Sequence, residues 1–357
     1  MHHRAGLPFP ESRLPQIFEQ FTREKAPGPC TFASAWVPFP RGRRPPAGYS
    51  GANPIYLLVR MRSRLSFRPL SVIETASVTF PEGPRFPRMI YDFSACLMIG
   101  IFDSGIGGMT VARAVEQLLP GYPLLYYGDI ARTPYGTKSP ETIIDYSLRN
   151  TEFLLRKGAS LIIIACNTAS SLATDRLRQE FQVPIIEVVT PAAEQAIART
   201  QNGRIGIIGT RATVKSDIYR RIITGLRPGF QVFSQECPLL VPLVEEGWTN
   251  KRETKMIIRR YLHPLQNSQI DTLVLGCTHY PLLKDLIQAR IGRHVQLIDS
   301  SVEAARHLQK MLTLQPGLVK QNGASPADHI YYVSDLTDSA QHVAAKIFGR
   351  PMELHHV

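Results

Sequence analysis

From Met98 onward, apolar runs of four to six residues alternate with longer stretches of helical spacing. A short apolar run bounded by turn residues reads as a buried strand, and apolar positions recurring every three or four residues after it read as a helix packed on the sheet. On that pattern residues 99–102 form a strand, 103–108 a glycine-rich turn, and 109–119 a helix with Val111, Val115 and Leu118 on one face. Strands follow at 124–128, 161–165 and 183–188. A helix over 139–157 opens with Pro140 and Glu141 and stops at Gly158, and another runs from 167 to about 181. Residues 204–208 restart the cycle, with strands at 231–235, 272–276 and 295–298, a basic helix over 251–263 and a helix over 302–312 capped by Asp299-Ser300-Ser301. A last strand and helix occupy 330–333 and 339–348. Strand and helix alternating in this way predict an α/β class with open parallel sheets.

Two stretches repeat. Ile99 at the head of the first strand and Ile205 at the head of the restarted cycle lie 106 positions apart, and the strand-end cysteines Cys166 and Cys277 lie 111 apart. Matching offsets for two separate motifs imply a duplicated unit, hence two similar open-sheet α/β lobes related by a pseudo-twofold axis. The chain is expected to leave the first lobe and return to it once, giving one lobe from 98–190 plus 300–357 and the other from 191–299. Ligands of open α/β sheets bind beyond the carboxyl ends of the strands, so the two thiols are expected on opposite walls of one cleft. Each thiol stands where a strand meets a helix N-terminus, whose positive end favours thiolate. Taken singly, either cysteine equally suits the role of a small buried residue at a strand end.

Composition narrows the picture. The chain has 357 residues, 44% of them apolar, enough for about two domains. No apolar run reaches membrane-span length and no charged-then-apolar leader opens the chain, so a soluble cytoplasmic protein is expected. Five widely spaced cysteines, Cys30, Cys96, Cys166, Cys237 and Cys277, argue against a disulfide framework, and neither Cys-x-x-Cys nor a zinc-ligand spacing occurs. The net charge of +12 invites a nucleic-acid reading, but +7 of it falls in residues 1–97, which also hold 14 of the 28 prolines. That arm reads as mostly disordered, with at best short pieces at 14–25 and 55–62, and as a possible mispredicted upstream start before Met98. A basic arm could touch phosphates, and the basic helix over 251–263 suits a solvent face better.

The turn Asp103-Ser104-Gly105-Ile106-Gly107-Gly108 between strand and helix reads as an anion cradle whose backbone N–H groups are freed by glycine. As a dinucleotide fingerprint it is weak: Gly105, Gly107 and the later Asp129 match, but Thr110 replaces the third glycine. The loop from Asp129 to Lys138, through its Pro134-Tyr135-Gly136-Thr137 stretch, offers amides, a hydroxyl and an aromatic wall, or plain turn chemistry.

Phe102-Asp103-Ser104-Gly105-Ile106-Gly107-Gly108, Pro134-Tyr135-Gly136, Ala165-Cys166-Asn167-Thr168-Ala169, Val241-Pro242-Leu243-Val244-Glu245 and Gly276-Cys277-Thr278-His279-Tyr280-Pro281 together resemble glutamate racemase, in the aspartate/glutamate racemase superfamily. The resemblance spans Met98 to about Phe348 and leaves 1–97 without a counterpart. It implies a cofactor-independent racemase that interconverts L- and D-glutamate for peptidoglycan synthesis, with glutamate as its partner, no nucleic acid or membrane, and a homodimeric state. Cys166 and Cys277 match the family's two acid/base thiols, the first attacking D-glutamate and the second L-glutamate. Asp103, Glu245 and His279 match auxiliary polar groups, with Asp103 and His279 placed to orient or activate the thiols. Asp103, Ser104, Tyr135, Gly136, Asn167, Thr168, Thr278 and His279 match substrate-contacting positions. Two alternatives stand beside it: a related aspartate or hydantoin racemase, and a nucleotide- or nucleic-acid-binding module.

Overall fold

The computed structural model describes residues 98–319, 323, 325 and 328–357. All of them lie in one compact unit, Tyr91–Val357. The proline-rich arm over 1–97, with its pieces at 14–25 and 55–62, lies outside the described residues.

The strands, in chain order, are β1 (Met98–Asp103), β2 (Leu124–Gly128), β3 (Ala159–Ile164), β4 (Ile185–Glu187), β5 (Arg204–Gly209), β6 (Gln231–Glu236), β7 (Thr272–Gly276), β8 (Gln296–Asp299), β9 (Ile330–Val333) and β10 (His355–His356). They form two sheets, ordered β10-β9-β2-β1-β3-β4 and β6-β5-β7-β8, and the pairs within them are parallel. The order β2-β1-β3-β4 in the first sheet repeats as β6-β5-β7-β8 in the second, which is the duplication the 106-residue offset implies.

Both faces of each sheet are covered, so the strands read as unbroken apolar runs rather than alternating ones. Ile99, Ile101, Leu161 and Ile163 enter one core while Phe102, Ile162 and Ile164 enter another on the opposite face. In the second sheet Ile205, Ile207 and Val274 face one core and Ile208, Leu273 and Leu275 the other.

The helices are α1 (Met109–Leu118), α2 (Pro140–Arg156), α3 (Asn167–Glu180), α4 (Val189–Arg199), α5 (Arg211–Lys215), α6 (Ile218–Leu226), α7 (Leu240–Glu245), α8 (Arg252–Asn267), α9 (Lys284–Ile291), α10 (Ser300–Leu314) and α11 (Asp338–Phe348). Two of them change sheets. α4 follows β4 of the first sheet, yet Val189, Ala192, Ala193 and Ala196 pack with Ile205 and Val274 of the second. α10 follows β8, yet Ala304, Ala305, Leu308 and Leu312 pack with Val111, Val115 and Ile163 on the first. Each sheet thus receives a helix from the other, and this reciprocal burial holds the strand ends of both against a common cleft.

The strand expected over 183–188 is only three residues long. Pro184 supplies no N–H to the ladder, and Glu187 ends the strand by accepting the free amides of Val189 at 2.5 Å and Thr190 at 2.9 Å, which starts α4. Helices α4, α5 and α6 were not marked by the apolar pattern, because α5 is a single turn and Asp217, at φ 53°, interrupts the run between it and α6. Among the described residues no helix is long and apolar enough to cross a membrane.

Candidate active site

Strand ends deliver the chemistry. β3 stops at Ile164, two residues before Cys166, and β7 stops at Gly276, immediately before Cys277. Both sulfur-bearing residues line one cleft of about 310 Å³ that is partly open to solvent. Ser104, Asn167, Thr168, Thr278 and His279 line it too, together with Tyr135 and Gly136.

Cys166 is the N-cap of α3: its Sγ accepts a hydrogen bond from Ala169 N–H at 3.5 Å and donates to Ser104 Oγ at 3.5 Å. The helix terminus alone would favour thiolate, as the sequence suggests. Burial reverses that expectation: it is the largest influence, the negative Asp103 adds to it, and together they push the thiol up to about 12 against the pull of Ser104 and the Ala169 amide. One long N–H contact does not replace the hydration a sulfur anion loses at 5% exposure. Cys166 is therefore a protonated thiol at neutral pH.

Cys277 has different company. Its Sγ lies 3.9 Å from His279 Nδ1, and His279 Nε2 lies 3.1 Å from Glu245 Oε1. Burial lowers the His279 pKa, but hydrogen bonds and charge from Cys277 and Glu245 outweigh it and raise the ring to about 10. His279 is thus an imidazolium at neutral pH, and its Nδ1–H can stabilise negative charge on the neighbouring sulfur. The same shift has a consequence for stability. Because the folded-state value stands above the ordinary 6.5, the contribution is complete below about pH 6.5 and is lost as pH rises through about 10. Thermal midpoints of the native protein should therefore fall between those pH values more steeply than those of His279→Asn; parallel curves would refute the charged pairing.

Asp103 stands behind the cleft rather than in it. It is fully buried, and its Oδ2 accepts the N–H groups of Gly105 and Gly108, each at 3.0 Å, while Thr278 Oγ1 donates to Oδ1 at 3.4 Å. The glycine cradle expected to take an external anion is thus filled by the chain's own carboxyl group. Burial raises the Asp103 pKa despite the opposing charge of His279 and the backbone donors. Glu245 likewise reaches the site only through His279.

Other expected contact residues present different atoms than their side chains suggest. Tyr135 is buried, and its hydroxyl donates to Asp129 Oδ2 at 2.5 Å, so the hydroxyl is not free to meet a substrate. The Asn167 side chain is also committed: Tyr219 Oη donates to its Oδ1 at 2.7 Å, and its Nδ2 donates to Ser300 Oγ at 3.2 Å. Thr168 Oγ1 sits 2.9 Å from Thr210 Oγ1, tying the starts of α3 and α5 together across the two sheets. Asp129, the acid that a ribose reading would need, is 0% exposed and cannot meet a nucleotide.

The sequence model of the Asp/Glu/Hydantoin racemase family matches residues 109–308. The chain is 43% identical over 251 residues to a glutamate racemase of Geobacter metallireducens, covering 70% of this chain and 92% of that one. It belongs to the Asp/Glu/Hydantoin racemase family. Solved structures agree: glutamate racemase isoform RacE1 from Bacillus anthracis superimposes with a TM-score of 0.70 at 34% identity, over 73% of this chain and 97% of that one. The Francisella tularensis glutamate racemase in complex with D-glutamate does so with a TM-score of 0.68 at 34% identity, over the same shares.

In this member of the racemase family the cleft also includes Thr133, Pro134, Thr210 and Val241, none of which was singled out as a site residue from sequence. Thr210 was findable. It lies 106 positions after Ser104, the same offset that relates β1 to β5, so the repeat places it at the end of the second lobe's first strand as Ser104 ends the first.

Proposed function

We propose that this chain interconverts L- and D-glutamate without a cofactor, by proton exchange at the α-carbon between two cysteines, and so provides D-glutamate for peptidoglycan. The reading takes residues 98–190 with 300–357 and residues 191–299 as two lobes that close on the substrate, in a cytoplasmic homodimer. The observation that carries it is the asymmetric pair of sulfurs lining one cleft, one held as a thiol and the other beside an imidazolium partnered by a carboxyl group.

In the L-to-D direction Cys277, as a thiolate held by the His279 imidazolium, accepts the α-proton of L-glutamate. The C–H bonding pair stays on carbon, delocalised into the α-carboxylate, and Cys166 S–H delivers its proton to the opposite face. D-Glutamate leaves with Cys277 as the thiol and Cys166 as the thiolate, the mirror of the starting state, and proton exchange with solvent or the reverse turnover restores it. No electron sink assists the carbanion, so the barrier must be lowered by positioned donors and a drained site. Ser104, Thr168 and Thr278 supply hydroxyls and the Tyr135–Gly136 backbone supplies amides for the two substrate carboxylates. Asp103 acts through Thr278 and the glycine turn and is a positioning residue, as is Glu245 through His279.

The test is incubation of the full chain with L-glutamate and no added cofactor, followed by chiral chromatography. An equimolar L/D mixture is expected. No D-glutamate, with inversion of aspartate or a hydantoin instead, would move the activity to another substrate of the family.

A further inference from the structure

Asp129 binds no ribose and touches neither sulfur, yet it is one of the most heavily bonded buried acids in the molecule. Its Oδ2 accepts the Tyr135 hydroxyl at 2.5 Å and Arg132 Nη1 at 3.3 Å, and its Oδ1 accepts Ser334 Oγ at 3.1 Å. The groups around it are cross-linked in turn. Asn150 Nδ2 from α2 donates to the Tyr135 hydroxyl at 3.0 Å, and Ala131 N–H donates to Ser334 Oγ at 3.0 Å. Burial and the charge of Asp129 both raise the Tyr135 pKa, so the phenol keeps its proton and remains the donor. Three separate parts of the first lobe, the end of β2, α2 and the turn after β9, therefore converge on the segment that carries Tyr135 and Gly136 into the cleft.

That segment has little freedom to sit elsewhere. Tyr135 packs against Tyr146 with ring centroids 5.5 Å apart, and Arg132 stacks over Tyr146 at 4.9 Å. Gly136 meets the second lobe so closely that a Cβ there would lie 2.7 Å from the Thr210 Cβ. A buried acid saturated by donors on both oxygens fixes orientation, since removing one acceptor leaves donors unpaired in a dry interior.

We propose that Asp129 is a positioning residue for substrate binding, acting through the Tyr135 hydroxyl to hold the Tyr135–Gly136 backbone at the distance glutamate requires. The proposal rests on the racemase reading above for its substrate and on the geometry of the loop for its mechanism. Because the thiols find their hydrogen-bond partners in Ser104, Ala169 and His279 and not in this loop, its displacement weakens substrate and transition state alike, which appears as a raised KM at a little-changed kcat.

The experiment measures glutamate racemisation and amide hydrogen exchange in full-length Asp129→Asn, Tyr135→Phe and the double variant. Each single variant is expected to raise KM about tenfold while kcat stays within about threefold, and the double variant to be no worse than either single one, because both remove the same link. Amide exchange over residues 133–138 should accelerate in all three while β1 and β3 stay protected. An unchanged KM with only a lower melting temperature, a loss confined to kcat, additive effects in the double variant, or unchanged exchange in the loop would each overturn the proposal. If Asp129→Asn does not fold, Tyr135→Phe decides the matter alone. If the native protein does not act on glutamate, the racemase reading fails by itself, and the loop-exchange comparison still tests the anchoring.

Discussion

Replacing Cys166 or Cys277 with Ala lowers glutamate racemisation in both directions by about 10²–10⁴-fold, because inversion needs a base on one face of the α-carbon and an acid on the other. The two variants then differ in what they retain. Cys166→Ala keeps Cys277 beside His279 and should still exchange the α-proton of L-glutamate with solvent deuterium, leaving D-glutamate untouched. Cys277→Ala should show the mirror preference. Proton NMR in D2O separates the cases by loss of the α-proton signal, and exchange of both enantiomers by one single variant would dismiss the division of labour. Each sulfur borders the cleft and also packs at the edge of a core cluster, so either change is expected to lower the melting temperature by a few degrees without unfolding the chain.

Gly107→Ala should reduce kcat by about 10²-fold, although residue 107 bears no functional group. A Cβ at that position would lie 2.5 Å from Cε1 and Nδ1 of His279 and 2.7 Å from Thr278 Oγ1. The imidazole must shift by about 1 Å to admit it, and misplacement on that scale costs about two orders of magnitude in rate. Its 3.9 Å approach to Cys277 and 3.1 Å contact with Glu245 cannot both survive the move. Gly225→Ala is the control, because a Cβ there meets nothing within 4 Å. Full activity in Gly107→Ala would mean that the position of His279 does not govern the base.

Much of this architecture was legible in the chain. The buried strands announce themselves as isoleucine-rich runs, the helix over Pro140–Arg156 by Pro140 and Glu141 at its start and Gly158 as its stop, and the duplication by the offset from Ile99 to Ile205. The cysteines at equivalent strand ends follow from that repeat, since topology alone brings the ends of related strands together. What sequence cannot convey is where a side chain spends its hydrogen bonds. The glycine turn promises an anion site, but Asp103, five residues before Gly108, folds back and occupies it. Asn167 and Tyr135 sit in motifs that suggest substrate contact, yet Tyr219, from 52 positions away, holds the first and Asp129 the second. The protonation state of Cys166 is likewise a balance of local dipole against desolvation, and only burial fixes which one wins.

The central claim is that separate sulfurs serve the two faces of the α-carbon, and isotope partitioning in the first turnovers reads it directly. With L-glutamate in D2O and native protein, each molecule of D-glutamate formed at early times should carry deuterium at the α-carbon while the remaining L-glutamate stays unlabelled. The proton taken by Cys277 returns to the face it came from or is lost to solvent and is never delivered to the opposite face, whereas the product receives its hydrogen from a deuterated Cys166. Early D-glutamate that retains the substrate's own α-proton would show a single group working both faces, and would contradict the account.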